Sequence, residues 1–142
     1  MNEHIQNVLK NNALLVLSTI CDDGAPWGTP VHFAYDEKYL YWFSFDSSTH
    51  STNITRDGRV FITVFSTTQN PTAKEDRSAL YISTHAQALE GEDAVVAQDI
   101  FADRVSGERK LGEGAHMYRA AIGTLNKEKS DGQRYYLRSS GQ

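Results

Sequence analysis

Tyr39–Phe45 (YLYWFSF) is apolar or aromatic at every position but Ser44. In a strand, alternation sends Tyr39, Tyr41, Phe43 and Phe45 to one face and Leu40, Trp42 and Ser44 to the other. Large side chains on both faces cannot leave either face in water. Such a strand needs cover on both sides, as in a closed barrel or at a subunit interface. The segment before it, WGTPVHFAY, carries Trp27, Thr29, Val31, Phe33 and Tyr35 at period two. With DEK as the turn, the two segments are predicted to form a hairpin.

The rest of the chain alternates short strands with a few helices. NEHIQNVLKNN places Ile5, Val8 and Leu9 at helical spacing and reads as a short lid helix. ALLVLSTI is a buried strand, and DDGAP is a turn set by Gly24 and Pro26. Ser48 to Asp57 fits one short helix, with Ser47, Ser48 or Thr49 as N-cap and Gly58 as a left-handed C′ residue. RVFITVFS and SALYISTHAQAL are strands joined by a polar loop with Pro71. EDAVVAQDIFADRV is a helix with Val95 and Ile100 on its apolar face and acidic residues in its first turn. After the Gly-rich connection SGERKLGEG, MYRAAIGTLNKEK and QRYYLR are strands around the turn SDG. The total is about six or seven strands with inserted helices and hairpin-type turns, which argues for a small antiparallel barrel rather than a doubly wound sheet. One domain over residues 1–142 is expected.

Several function classes find no support. Lys and Arg total 14 against 18 Asp and Glu, and the net charge of -4 is no footprint for nucleic acid or an acidic membrane. Cys21 stands alone, so neither a disulfide framework nor a cysteine zinc set is available. No apolar run reaches membrane-spanning length and no signal-peptide pattern opens the chain, so a cytoplasmic location is expected. The five histidines form no H-x-H or H-E-x-x-H pair, and no metal site is expected. GEGAHM has Met117 where a dinucleotide fingerprint needs its last glycine. Asp22 with Asp23, and Glu75 with Asp76, read as solvated turn carboxylates.

The stretch FDSSTHSTNITRDG remains, with three serines, three threonines and one histidine. A helix N-terminus offers free N–H groups and a partial positive charge, and phosphate binds there without many basic residues. Ser48, Thr49 and Ser51 add hydroxyls, and His50 adds an imidazole that a nearby phosphate would charge. An ordinary capped helix explains Ser48 equally well. Trp27, Phe33, Trp42, Phe43 and Phe45 precede the stretch. They can line a surface for a flat ring, or they can be barrel core or dimer interface.

The ordered set STICDDGAPWGTPVHFAYDEKYLYWFSFDSSTHSTNITRDGRVFITVF, including the pattern N-[IL]-x-x-D-x-R-V, resembles the pyridoxamine 5'-phosphate oxidase-like family of FMN-binding split barrels. The likeness runs from Ala13 to about Leu89, with a weaker echo in MYRAAIGTLNKEKSDGQRYYL. The resemblance implies a six-stranded antiparallel split β-barrel, a homodimer, and FMN in a cleft between subunits. It assigns cofactor contacts to Gly28, Thr29, Pro30 and Val31, to Phe43 and Ser44, and to Ser48, Thr49 and His50. Thr49 and His50 stand where the family usually has Arg and Lys, and Gly28 where the vitamin B6 oxidases carry an Arg. The chain ends at YYLRSSGQ, without the Trp and Arg-Leu-x-Pro of true pyridoxamine-phosphate oxidases, so that specific activity is not expected. The implied function is a flavin-dependent oxidoreductase using a small substrate or NAD(P)H, with no residue assigned to catalysis. Thr29 and Ser44 are the hydroxyls nearest the ring in this reading. The alternatives are a non-catalytic flavin-binding or structural dimer, or a relative using F420 or haem. F420 would favour more Lys and Arg, and haem an axial histidine, with His85 and His116 available.

Overall fold

The computed structural model describes residues 1–66 and 77–140. The expected polar loop around Pro71 and the Glu75–Asp76 pair lie outside these residues. In chain order the elements are α1 (Glu3–Lys10), β1 (Leu14–Ile20), β2 (Pro26–His32), β3 (Ala34–Tyr35), β4 (Tyr39–Phe45), α2 (Thr49–Arg56), β5 (Arg59–Phe65), β6 (Ala79–Ala88), α3 (Gly91–Arg104), β7 (Ala115–Ala121), β8 (Thr124–Leu125) and β9 (Arg134–Arg138). The strands form one curled sheet in the order β2-β1-β5-β6-β7-β4-β3, with β9 beside β6 and β8 beside β9. The chain has the expected split-barrel fold. Among the described residues seven strands have five or more residues, rather than six in all. The added one, β9, runs parallel to β6, so the sheet is not antiparallel throughout.

The long strand β6 carries the curl. Its first part, from Ala79 to His85, pairs with β5, and its last three residues, Ala86 to Ala88, pair with β7. Gly58 lies against this bend. Its backbone is not left-handed, contrary to the expected C′ role. A Cβ there would lie 3.0 Å from the Ala86 carbonyl, and the Ala86 amide donates to the Gly58 carbonyl at 2.8 Å. The glycine allows a close approach of two backbones.

The expected hairpin of WGTPVHFAY with YLYWFSF is mostly absent. β2 pairs along its whole length with β1, around the DDGAP turn. Only Ala34 and Tyr35 pair with β4. The chain leaves one side of the barrel and joins the other at Phe33, whose side chain is fully buried. Among the described residues β2 is therefore an open edge. Pro26 and Pro30 have no N–H to give β1, so they occupy positions facing that edge and blunt it against strand addition.

Both faces of β4 are covered. Leu40 and Trp42 face the barrel interior with Leu15, Leu17, Ile62, Val64, Leu80, Ile82 and Tyr118. Tyr41 and Phe43 lie under α3 with Met117, Ala97 and Phe101. The buried face of α3 is set by Ala94, Ala97 and Phe101, not by Val95, which is 58% exposed. Small alanines bring the helix close to the sheet, and the larger valines turn outward. No helix among the described residues is long and apolar enough to cross a membrane.

α1 closes one end of the barrel with Ile5, Val8 and Leu9, and Asn2 caps it by accepting from the Ile5 amide at 2.9 Å. Arg104 of α3 ties this lid down. Its Nη2 donates to the Leu9 carbonyl at 2.9 Å and also to the Asn12 carbonyl. Its guanidinium sits 4.5 Å from the Phe33 ring centroid and 5.0 Å from that of Tyr35. Arg104→Ala is expected to lower unfolding free energy by about 1–3 kcal/mol. In urea, the midpoint should fall while the slope stays the same; an unchanged midpoint would show that the lid is held without Arg104.

A hydroxyl cluster and a histidine clamp as the candidate functional site

β4 delivers the chain straight into the start of α2. Ser48 is the N-cap, and its Oγ accepts from the Ser51 amide at 3.4 Å. The same oxygen lies 2.8 Å from the Phe45 carbonyl and 2.7 Å from Ser51 Oγ, so one hydroxyl proton has two acceptors. Ser51 Oγ donates to Ser44 Oγ at 3.0 Å, and Ser44 Oγ lies 2.7 Å from His50 Nε2. Burial alone holds His50 below the ordinary imidazole range, so it is neutral here. A neutral ring shares one proton with Ser44 across this contact, the tautomer setting which of the two donates. The backbone amides of Thr49 and His50 head the helix, where intrahelical carbonyl partners do not reach. The start of α2 is thus a cluster of uncharged donors.

The helix is fixed from its inner face. Asn53, 4% exposed, donates through Nδ2 to Thr19 Oγ1 of β1 at 3.0 Å and to Cys21 Sγ at 3.6 Å. Arg56 donates to Asn53 Oδ1 at 3.3 Å and to the Ile20 carbonyl. The Asn of the N-[IL]-x-x-D pattern is therefore an anchor that sets where the helix start points. The Asp of that pattern, Asp57, pairs with Arg59 at 2.7 Å on the surface.

A second cluster adjoins the first. Ser44 stands opposite His116 in the β4–β7 register. His116 Nδ1 lies 2.8 and 3.0 Å from the two Asp46 carboxylate oxygens, and Nε2 lies 2.8 Å from Glu90 Oε1. The Asp46 hydrogen bond, opposed by burial and helped by Glu90, holds His116 above its ordinary range. Tyr118 donates to Asp46 Oδ1 at 3.1 Å and also meets Ser51. Its ring stacks on Trp42 at 6.1 Å with an interplanar angle of 7°. Burial first, then Asp46, raise the Tyr118 phenol, so it stays a donor. Carboxylates occupy opposite sides of the His116 ring, with no common point for a cation. Among the described residues no group of three or more His, Cys, Asp or Glu is placed to hold a metal ion.

The residues singled out from the sequence fall into three places. Ser44, Ser48 and His50 come together with Ser51, and Thr49 begins the helix beside them. Gly28, Thr29, Pro30 and Val31 lie on the open edge strand, opposite Ser18, Leu17, Val16 and Leu15. α2 touches both β1 and β2, so the edge strand and the helix share one side of the barrel. A Cβ on Gly28 would meet its nearest neighbours at 3.8 Å, so packing within this chain does not demand glycine there. Phe43 and Ser44 point to opposite faces of β4. Phe43 turns toward α3 and packs edge-on against Phe45, with centroids 5.5 Å apart. Of the five aromatics considered for a ring surface, Phe33 and Trp42 are core, while Trp27 and Phe45 are 44% and 63% exposed. Asp46, Glu90, Tyr118 and the clamp role of His116 had no local sequence signal. They meet through a strand pairing 72 residues apart, Ser44 with His116.

Known proteins agree on the architecture. The family model described as pyridoxamine 5'-phosphate oxidase matches residues 1–125. No curated protein matches the chain. Among solved structures, the haem-binding protein of Mycobacterium smegmatis superposes with a TM-score of 0.75 at 15% identity, covering 85% of this chain and 50% of its own. This chain thus spans half the length of that protein. HutZ, the haem storage protein of Vibrio cholerae, gives 0.73 at 16% identity, covering 84% of this chain and 88% of its own. An FAD-binding protein of Mesorhizobium loti gives 0.66 at 19% identity, covering 87% of this chain and 91% of its own. With the family model spanning most of the sequence and the split barrel in place, the chain belongs to the pyridoxamine 5'-phosphate oxidase family.

Proposed function

We propose that the chain is a homodimeric, FMN-binding split-barrel oxidoreductase acting in the cytoplasm on a small substrate. The observation that carries this reading is the hydroxyl cluster at the start of α2. Uncharged O–H and N–H donors converge there at the end of an aromatic strand, and α2 is pinned in place by Asn53. That donor set fits a phosphate monoester. Ser48, Thr49 and His50 would hold the phosphate. Gly28, Thr29, Pro30 and Val31 would offer the backbone of an open edge to the ring, with Trp27 beside them. Bound FMN would supply the hydride chemistry, exchanging it with NAD(P)H or a small substrate. The protein's share is to place the ring and exclude water from one face.

Two of the structural neighbours bind or store haem. In this chain both nitrogens of His116 are engaged by carboxylates, and His50 Nε2 is engaged by Ser44. His116 thus has no lone pair to give a haem iron, whereas His85, exposed on β6 opposite Arg59, is the histidine a haem reading would use.

The outer face of β1 and β5 supports the dimer. Leu14, Phe61 and Phe65 are 46%, 37% and 46% exposed there. Apolar residues on one sheet face are a poor surface to leave in water. A second copy covering them would place two chains beside the β2 edge, where a cleft cofactor would be shared.

The purified protein is expected to be yellow, or to become so with FMN, with FMN identified by mass on release. A protein that stays colourless and takes up no flavin would overturn the reading. Ser48→Ala with His50→Ala should weaken FMN roughly 10- to 100-fold, since each of the two exchanged hydrogen bonds contributes a net of about 0.5–1.5 kcal/mol. Unchanged affinity would move the phosphate elsewhere. Sedimentation should give twice the chain mass, and Phe61→Glu with Phe65→Glu should halve it; a monomeric wild-type protein would remove the shared cleft. Steady NAD(P)H oxidation with an acceptor would mark an enzyme, and its absence in the loaded protein a flavin-binding module.

A further inference from the structure

The hydrogen bonds of Ser44, Ser48, His50 and Ser51 run among themselves, to the Phe45 carbonyl and to Tyr118, with no Lys or Arg as partner among the described residues. The formal charges tied to this cluster are those of Asp46, His116 and Glu90. Asp46 lies two residues before the cap Ser48. It receives the Tyr118 phenol, which meets Ser51, whose Oγ is 3.0 Å from Ser44 Oγ and 2.7 Å from Ser48 Oγ. His116 stands directly across from Ser44, a placement that puts Cβ atoms about 4.5–5.5 Å apart. An uncompensated Asp46 would set a negative charge beside the place where an anion is held.

The imidazole supplies the compensation. Both of its nitrogens face carboxylate oxygens, and a carboxylate only accepts. Both nitrogens must therefore carry hydrogen, which is the imidazolium form. A neutral ring would turn a lone pair toward one carboxylate and break that contact. Glu90, with its side chain 82% exposed, is free to leave, whereas Asp46 is held by Tyr118.

We propose that His116 is a charge gate for the anion held at the start of α2: its charged form masks Asp46 and admits a phosphate, and its neutral form leaves Asp46 to repel it. This rests on the reading that FMN's phosphate sits at that helix start. The groups facing His116 are Asp46 from the turn after β4, Glu90 from the start of α3, Tyr118 from its own strand and, through Ser44, His50 from α2. Arg119 and Asp93, 3.8 Å apart, form a separate pair between β7 and α3. Burial keeps His50 neutral, so it does not share the titration. The Asp46 contact holds His116 above its ordinary range, so its charge is kept to higher pH than that of a free imidazole and is lost as pH rises further. Losing it takes the three-group cluster from one net negative charge to two. Anion affinity must then fall as pH rises.

FMN binding measured by fluorescence quenching between pH 7 and 9 tests the gate. The phosphate is already a dianion there, its second pKa being about 6, so the ligand does not titrate. Wild-type affinity should fall with rising pH, on the order of tenfold for one charge at this range. His116→Gln should be weak and flat, at the wild-type alkaline level. Asp46→Asn should be tight and flat, at the wild-type neutral level, an opposite effect that loss of structure would not give. Circular dichroism checks that each variant is folded. Matching pH profiles in wild type and His116→Gln, or weakening by Asp46→Asn in a folded protein, would overturn the gate alone. No FMN binding at any pH would overturn the flavin reading and the gate with it.

Discussion

The fold depends on covering β4 from both sides. Trp42 and Leu40 are fully buried on one face, and Tyr41 is 3% exposed on the other. A single sheet cannot do this, so the barrel wraps around the first face and α3 lies on the second. The position of everything near the site follows. β7 must run beside β4 to close the barrel, which brings His116 opposite Ser44. α3 must begin close to the end of β4 to cover its outer face, which brings Glu90 to His116. The polar clamp is built where three elements meet for hydrophobic reasons.

The site is nearly neutral by construction. Relatives with an Arg and a Lys at this helix start would have charge to hold a phosphate; this chain has Thr49 and His50. The structure shows what stands in their place. Four side chains, Ser44, Ser48, His50 and Ser51, hydrogen-bond to one another. A phosphate would have to be met by reorienting hydroxyls that already have partners. The net gain per hydrogen bond is then modest, as for any exchange of one partner for another. In such a site the nearest fixed charges matter more than in one lined with lysine, because little else screens them.

Much of this was legible in the sequence. The period-two segments and the two-faced YLYWFSF gave the barrel, and the Ser48 cap was readable from residue types alone, because capping is a local interaction. The failures share a cause. WGTPVHFAY looked like one strand, but the chain changes sheets at Phe33, a choice made by packing rather than by propensity. Val95 looked like core, but the sheet admits only the small Ala94 and Ala97 at close range. Gly58 looked like a helix terminator, but its neighbour is the Ala86 backbone, 28 residues away. The clamp of Asp46, Glu90 and His116 depends wholly on strand register, and register between distant strands is set by the whole core.

The central claim is that the start of α2 reads a phosphate rather than merely capping a helix. The affinities of the unaltered protein for FMN and riboflavin, which share a ring and differ by the phosphate, test it most directly. FMN should bind at least tenfold more tightly at neutral pH, corresponding to about 1.4 kcal/mol from the helix start. Equal affinities would mean that the ring alone is recognised and that Ser44, Ser48, His50 and Ser51 are only the end of a helix.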